Sequence, residues 1–299
     1  MKKGFKSGFI ALIGRPNAGK STLLNKIIGQ KIAIISNKPQ TTRNKIVGVL
    51  TEPNFQAVFI DTPGIHKPLD RLGKVMVGTA MNTLREVDVV YYIIDASVPF
   101  GSGESFLIER LQKVDTPIFL LLNKIDCLNK PDLLPLIDFY RQKRKWAEIV
   151  PVSALTGENV GSLLDSTVAY LPEGPQYYPA DAVTDQPERI IVGELVREKI
   201  LWVTREEIPH SVAVVVDLME KRSTNLLYIS ATIFVERNSQ KAIIIGKSGQ
   251  KLKEIGSLAR NELEAILGNQ VFLELWVKVK TNWRKSKRSI RDFGYYDLN

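Results

Sequence analysis

The feature that most constrains the fold is a glycine-rich octapeptide, GRPNAGKS at residues 14–21, which follows an apolar run of strand length and opens an amphipathic segment. It fits the pattern G-x-x-x-x-G-K-[ST], in which backbone N–H groups surround phosphate oxygens at the start of a helix. A glycine turn without a ligand is the alternative, and the flanking patterns disfavour it. The pattern predicts a phosphate-binding loop formed by Gly14, Arg15, Pro16, Asn17, Ala18, Gly19, Lys20, Ser21 and Thr22.

The residue types of this loop each have a chemical reason. Glycine lets consecutive N–H groups turn inward, which residues with a Cβ atom often cannot do. The ammonium group of Lys20 supplies positive charge to the β- and γ-phosphates, and the hydroxyl of Ser21 is a hard oxygen ligand suited to Mg²⁺. The loop therefore predicts a nucleotide with a magnesium ion.

Around this loop, apolar runs alternate with amphipathic stretches. The apolar runs lie at 8–13, 55–61, 87–95, 116–123 and 148–153, and the amphipathic stretches lie near 19–28, 72–86, 103–114, 132–146 and 158–170. Strands that are apolar on both faces are typical of a parallel sheet between helix layers. Residues 1–172 are therefore predicted to form a doubly wound α/β domain with a mostly parallel sheet.

A different pattern begins after residue 172. Segment 171–187 contains four prolines and one glycine, so residues 173–187 are predicted to be a linker. Beyond it, residues 188–299 show a helix (188–203), two strands (211–220 and 225–236), a glycine loop, a second helix (250–267) and a strand (271–280). Strands that neighbour each other in sequence predict an α+β domain.

Composition bounds the class of protein. The chain has 299 residues, a net charge of +9 and a single cysteine, Cys127, which excludes a disulfide framework and a structural zinc site. No apolar run approaches the roughly 20 residues that span a bilayer. We expect a soluble protein, at most peripherally bound to a membrane, in a reducing intracellular compartment. The charge is concentrated in residues 278–291, which hold seven Lys/Arg and no acid and favour a polyanionic partner.

Two further motifs follow apolar runs. In Asp61-Thr62-Pro63-Gly64, the carboxylate would lie at the carboxyl edge of the sheet and hold Mg²⁺, while the Gly64 N–H faces the γ-phosphate. A Pro-Gly turn capped by the aspartate is the alternative. In Asn123-Lys124-Ile125-Asp126, the acceptor-only carboxylate of Asp126 pairs with a base edge that presents two donors, as guanine does and adenine does not.

The motifs GRPNAGKS, DTPG, NKID and Ser153-Ala154-Leu155, in this order, resemble the nucleotide-binding domain of translation-factor-related P-loop GTPases. The resemblance implies GTP and GDP as ligands and a switch threonine, for which we favour Thr42 over Thr41. It implies Mg²⁺ held by Ser21, Thr42 and Asp61, and catalytic roles for Lys20, Thr42, Asp61 and Gly64. Asn123 would fix its loop and contact the base, the Lys124 stem would lie along it, and a backbone N–H of the SAL segment would reach the guanine O6.

The residue after Gly64 bears on the hydrolysis rate. Gα and Ras-like proteins place a water-orienting glutamine there, whereas this chain has Ile65, which would touch the nucleotide but cannot polarise water. We expect slow intrinsic hydrolysis that depends on switch-loop backbone, a bound cation or a partner. His66 could substitute, although a loop histidine is more often merely solvated.

A glycine loop in the second half predicts RNA binding. Ile245-Gly246-Lys247-Ser248-Gly249 follows apolar residues and precedes a long helix that carries Lys251 and Lys253. This arrangement resembles a type II KH domain, whose GxxG loop clamps about four nucleotides. A glycine hinge with a solvated basic face is the alternative. In the tail, Arg284, Lys285, Lys287, Arg288 and Arg291 are predicted to bind RNA, with aromatic neighbours Trp283, Phe293, Tyr295 and Tyr296, whereas Trp276 is predicted to be a core residue.

The combination of both domains over essentially the whole chain resembles the Era family of bacterial ribosome-assembly GTPases. The resemblance implies binding of 16S rRNA near its 3′ end on the 30S subunit precursor. It also implies a cytoplasmic, monomeric protein with some peripheral association with the inner membrane. One departure is Ala18, where many relatives have valine.

Three alternatives stay open at this point. The chain could be a non-enzymatic RNA-binding adaptor for which guanine nucleotide is a structural ligand. It could be another translation-related GTPase, although those lack a KH module with GKSG. It could be an ATPase, which Asp126 argues against.

Overall fold

The computed structural model describes residues 4–38, 40–204 and 208–295. Its first half is a six-stranded sheet of strand order β2-β3-β1-β4-β5-β6, in which only β2 runs antiparallel to its neighbour. The predicted doubly wound α/β domain is confirmed. Its elements are β1 (Lys6–Gly14), α1 (Lys20–Ile28), β2 (Ile46–Glu52), β3 (Phe55–Asp61), α2 (Arg71–Thr83), β4 (Val89–Asp95), α3 (Ser102–Leu111), β5 (Ile118–Asn123), α4 (Lys130–Arg141), β6 (Glu148–Val152) and α5 (Val160–Tyr170).

The central strands are buried on both faces, as their unbroken apolar runs predict. On β1, Ile10 and Leu12 pack with α1 and α5, whereas Ala11 and Ile13 pack on the opposite face with α2 and α3. Two hydrophobic layers therefore hold the sheet. The carboxyl ends of β1, β3 and β5 then deliver the three predicted nucleotide motifs to one edge of it.

Strand β2 was missed by the sequence analysis. It is an edge strand that forms an antiparallel hairpin with β3, and it carries Gly48, where a Cβ atom would lie 2.7 Å from Leu24 of α1. Because α1 packs closely against β2 at this position, the residue must be glycine. A glycine inside the strand weakens the apolar pattern by which the sequence would reveal it.

The second half is α+β, as predicted. A three-stranded sheet of order β7-β8-β9 pairs β7 and β8 antiparallel and β8 and β9 parallel. The short helix α8, to which the sequence analysis assigned no element, precedes the glycine loop. The elements are α6 (Glu188–Val203), α7 (Ile208–Ser211), β7 (Ala213–Ser223), β8 (Leu226–Val235), α8 (Asn238–Ile245), α9 (Gln250–Leu267), β9 (Gln270–Val279) and α10 (Lys287–Asp292).

The predicted linker lies between the end of α5 and the start of α6, and it follows the edge of the first sheet. The Val49 N–H donates to Val183 O at 2.9 Å, and the Thr184 hydroxyl donates to Val47 O at 2.6 Å. The segment is therefore anchored to β2, although the domain limits at residues 172 and 188 stay predictions. In the described ranges, no helix combines the length and apolarity needed to cross a membrane.

Candidate nucleotide-binding site and nucleic-acid interface

The phosphate loop joins β1 to α1, so the N-terminus of α1 faces the loop. Its glycines are required by packing as well as by phosphate approach. A Cβ atom on Gly14 would lie 2.2 Å from Ile93 O, and one on Gly19 would lie 2.1 Å from the Asn123 Nδ2 atom. Both glycines have positive φ, at 155° and 98°.

Lys20 lies inside this loop and is almost fully buried. Its ammonium group donates to Arg15 O at 3.1 Å and to Gly14 O at 3.5 Å. Burial lowers the pKa of Lys20, and the carboxylate of Asp61 opposes that shift. The carbonyl groups of the loop thus satisfy the charge of the Lys20 ammonium group.

Three side-chain oxygens converge at the predicted magnesium site. The Ser21 hydroxyl donates to Asp61 Oδ2 at 2.6 Å and lies 2.9 Å from the Thr42 hydroxyl, which lies 3.2 Å from the same carboxylate oxygen. Burial raises the pKa of Asp61, opposed by Lys20 and by these hydroxyl contacts. Asp61 Oδ1 is buried without a hydrogen-bond partner among the described residues. Hard oxygens with an unsatisfied buried carboxylate fit Mg²⁺.

The geometry also separates the two switch threonines. The Thr41 hydroxyl donates to Lys38 O at 2.6 Å and is engaged within its own loop. Thr42 is the residue that faces Ser21 and Asp61. The structure therefore favours Thr42, as expected, and metal ligation itself stays a prediction.

The guanine-specific motif is tied to the other loops by Asn123. This side chain is fully enclosed; its Nδ2 donates to Ala18 O at 2.7 Å, and its Oδ1 accepts from the Ala154 N–H at 2.9 Å. Asn123 thus fixes its loop as expected. Its amide is committed to the phosphate loop and the SAL segment, and this arrangement does not favour the predicted contact with the base.

Asp126 is exposed at the end of this motif, in the position to meet a base edge. The Ser153 hydroxyl donates to Asp126 Oδ1 at 2.5 Å, and this hydrogen bond lowers the pKa of the carboxyl group. Lys124 forms an ion pair with Asp95. Asp95, which ends β4, was missed by the sequence analysis, although its position after an apolar run matches that of Asp61. The Leu155 side chain is exposed.

Two predicted nucleotide residues direct their side chains elsewhere. Arg15 forms an ion pair with Glu104 of α3 at 2.9 Å, so only its backbone remains in the phosphate loop. Ile65 is 1% exposed and packs in the hydrophobic layer between β1 and α2. It cannot approach an attacking water, which agrees with the expectation that this position does not polarise one.

His66 is bonded rather than solvated. Its Nδ1 atom lies 3.0 Å from Gly64 O, and its Nε2 atom lies 3.0 Å from Gln40 Nε2. Gln40, which the sequence analysis did not select, lines a cavity of about 490 Å³ with Lys20, Gly64 and the switch threonines. This cavity extends from the phosphate loop to Asp95 and Lys124.

In the second domain, the glycine loop joins α8 to α9. Gly246, Ser248 and Gly249 all have positive φ, and a Cβ atom on Gly246 would lie 2.7 Å from Lys251 Cβ. Lys247, Ser248 and Lys253 are exposed. A groove of about 410 Å³ runs from this loop between α9 and β9 and is also lined by Arg260, which was not predicted.

The prediction that Trp276 is a core residue is wrong, and Trp283 is the buried tryptophan of this segment. Trp276 is 54% exposed, whereas Trp283 is fully buried and donates from Nε1 to Ser211 O at 2.8 Å. Phe293 and Tyr295 are buried beside Trp283 and are not free to stack on bases; Tyr296 lies outside the described residues. Sequence alone could not tell which face of β9 is covered.

The basic tail divides into two parts. Arg284 forms ion pairs with Glu236 at 2.7 Å and with Asp70, the N-cap of α2 in the first domain, at 3.3 Å. Lys285, Lys287, Arg288 and Arg291 are exposed. The arrangement assigns Arg284 to the contact between the domains and leaves the other four side chains accessible to a polyanion.

The segment around Thr42 also contacts the second domain. Arg43 is 2% exposed; its Nη1 donates to Val212 O at 2.6 Å, and its Nη2 donates to Pro209 O at 3.1 Å. Its guanidinium lies over the rings of Trp283 and Tyr295, at 5.7 and 5.6 Å from their centroids. Consecutive residues therefore face the magnesium site and the second domain.

Comparisons with known proteins agree with this geometry. Residues 9–124 match the family model of the 50S ribosome-binding GTPases, and residues 207–284 match that of the KH domain. The chain is similar to Era crystallised with MgGDPNP and nucleotides 1506–1542 of 16S ribosomal RNA, with 45% identity, 97% of this chain and 99% of that chain covered, and a TM-score of 0.93. It is equally similar to an Era variant from Aquifex aeolicus bound to GDP and AlF4⁻, with 45% identity, the same coverage and a TM-score of 0.94.

Proposed function

The chain belongs to the Era family of GTPases, and we propose that it is a GTP-hydrolysing switch that binds 16S rRNA near its 3′ end and assists assembly of the 30S ribosomal subunit. We further propose that it acts as a monomer in the cytoplasm, with peripheral association with the inner membrane.

The observation that carries the enzymatic part is the convergence of three hard oxygens beside a buried ammonium group. Ser21, Thr42 and Asp61 would hold Mg²⁺, which when bound supplies positive charge to the phosphoryl oxygens. Lys20 would add its charge to the β- and γ-phosphates. Gly64 lies against the phosphate loop, since a Cβ atom there would be 2.8 Å from the Pro16 nitrogen.

The RNA-binding part rests on the second domain. Its glycine loop has the backbone conformation that permits close approach to phosphates, and its groove has the exposed side chains of Lys253 and Arg260 at one side. The similar Era structure was crystallised with a segment of 16S rRNA. We propose that this chain binds the corresponding RNA in the same groove.

Nucleotide state would act on RNA binding through the contact between the domains. Thr42 contacts Ser21 and Asp61 at the predicted magnesium site, and the adjacent Arg43 is buried in the second domain. A ligand that moves Thr42 therefore changes the contacts of Arg43. A ligand can shift the equilibrium between two arrangements of the domains only if it binds one of them more tightly than the other.

A second candidate function is the non-enzymatic adaptor, for which the observation is that the residue immediately after Gly64 is the buried, apolar Ile65. Single-turnover assays separate the two, since an adaptor would bind GTP without releasing phosphate even in the presence of RNA.

The proposal is tested first by calorimetry with GTP and ATP. GTP should bind to the wild-type protein, and Asp126→Asn should weaken GTP binding by about tenfold to a hundredfold, since a hydrogen bond to a charged group contributes about 1.5–3 kcal/mol. ATP should bind neither protein. Crosslinking to 16S rRNA with a GTP analogue should then trap fragments near the 3′ end. If ATP bound as tightly as GTP, the proposed guanine specificity would be rejected. If crosslinking were equal with GDP and with the GTP analogue, the proposed effect of nucleotide state on RNA binding would be rejected.

A further inference from the structure

Hydrolysis requires an oriented water molecule, and the residue that orients it in Gα and Ras-like proteins has no counterpart here. That position is Ile65, whose side chain lies in the hydrophobic layer between β1 and α2. If a side chain orients the water, it must therefore be another polar side chain at the γ-phosphate end of the cavity.

Most polar side chains of this part of the cavity are already committed. The Thr41 hydroxyl donates to Lys38 O, and the Thr42 hydroxyl lies at the magnesium site. The Asn17 amide donates to Asn37 O at 2.8 Å. Gln40 lines the cavity from the switch segment and keeps hydrogen-bonding capacity to spare.

The hydrogen bonds of His66 determine how the Gln40 amide is oriented. Because Gly64 O can only accept, the His66 Nδ1 atom at 3.0 Å carries the proton. In the neutral ring, Nε2 is then an acceptor, so the contact at 3.0 Å is a donation from Gln40 Nε2. The Gln40 Oε1 atom has no hydrogen-bond partner among the described residues and remains available as an acceptor.

We propose that Gln40 orients the attacking water and that His66 is a positioning residue that holds the Gln40 amide. The inference rests on the proposed GTPase activity. Gln40 lines the cavity from the switch segment, with φ at 61°, and His66, in the segment after Gly64, contacts the Gln40 amide. The pair therefore links the switch segment to the segment after Gly64.

In the reaction, the water oxygen forms a bond to the γ-phosphorus while the bond from that phosphorus to the β–γ bridging oxygen breaks. GDP keeps the electron pair of the broken bond, and the released phosphate takes the proton that the water loses. Gln40 accepts a hydrogen bond from the water and exchanges no proton. Its role is orientation of the nucleophile, and His66 acts only through it.

The test is single-turnover hydrolysis at saturating GTP and Mg²⁺, with nucleotide affinity measured separately. Gln40→Met keeps the length of the side chain and removes its hydrogen bonds, and it should lower the rate by about tenfold or more while affinity for GTP changes by less than about twofold. His66→Ala should lower the rate less. Lys67→Ala, an exposed neighbour of His66, is the matched control and should keep the wild-type rate.

A double-mutant cycle distinguishes positioning from an independent role. If His66 acts through Gln40, His66→Ala should have no further effect in the Gln40→Met background, whereas additive losses would overturn the pairing. A wild-type rate in Gln40→Met, or in Gln40→Ala if the methionine variant folds poorly, would overturn the role of Gln40. A wild-type protein that binds GTP without hydrolysing it would instead reject the proposed activity, and this inference with it.

Discussion

Replacing Arg43 by methionine should weaken the contact between the two domains without disturbing the nucleotide site. Methionine keeps an apolar stem of similar reach and removes the guanidinium, which donates to Val212 O at 2.6 Å and to Pro209 O at 3.1 Å. The same group lies over the rings of Trp283 and Tyr295. The variant therefore removes the contacts that join the switch segment to the second domain at this point.

The magnitude follows from those contacts. Each hydrogen bond from a charged donor contributes about 1.5–3 kcal/mol, and a desolvated cation–π contact contributes about 2 kcal/mol. Burial lowers the pKa of Arg43, which shows that desolvation of the charged group opposes part of this gain. We therefore expect a net loss of about 3 kcal/mol from the docked arrangement, equivalent to roughly a hundredfold in its equilibrium constant.

Hydrogen exchange measures this loss. In Arg43→Met, backbone amides at 211–214 and 290–295 should exchange faster by about a hundredfold, limited by undocking, while amides of β1 and β4 should keep their protection. Lys45→Met is the control, because Lys45 lies in the same segment and has no hydrogen bond or ion pair within the described ranges. Unchanged exchange at both second-domain segments would refute the argument.

Three further predictions test other parts of the site. Trp283→Ala should destabilise the second domain by about 3–5 kcal/mol and Trp276→Ala by less than about 1 kcal/mol in urea unfolding, because only the former is buried; equal effects would contradict this reasoning from burial. The Ser153 hydrogen bond lowers the pKa of Asp126, so the carboxylate stays ionised as the pH falls. Ser153→Ala should therefore lose GTP affinity at a higher pH than wild type, and coincident acid limbs in a titration would contradict this cause. Gly64→Ala would place a methyl group 2.8 Å from the phosphate-loop backbone, so it should weaken GTP binding by about tenfold or more and GDP binding less; equal losses measured with fluorescent nucleotides would show that Gly64 does not lie at the γ-phosphate.

The nucleotide motifs could be predicted because each is local. The phosphate loop depends on consecutive residues between a strand and a helix, and DTPG and NKID each follow a buried strand. Parallel strands bring their carboxyl ends to one edge of a sheet, so these motifs meet without further information. The role of Asn123 in joining two of the loops also agrees with the expectation that it fixes its own loop.

The missed features depend on which surfaces meet. Strand β2 was overlooked because Gly48 accommodates α1, and α8 was overlooked because an eight-residue helix carries little periodicity. Trp276 was assigned to the core because alternation along β9 identifies two faces without saying which one the helices cover. Arg284 was grouped with its basic neighbours because its partners, Glu236 and Asp70, lie far away in the sequence and no local pattern indicates them.

The amino-acid sequence by itself determined the two-domain organisation, the doubly wound sheet and the chemistry of the nucleotide loops, because these follow from hydrophobic periodicity and from short motifs. Only the tertiary structure decided that Arg43 is buried in the second domain and that Gln40 contacts His66. Such pairs join residues from separate segments, and their energy comes from desolvation and geometry that exist only once both segments have packed.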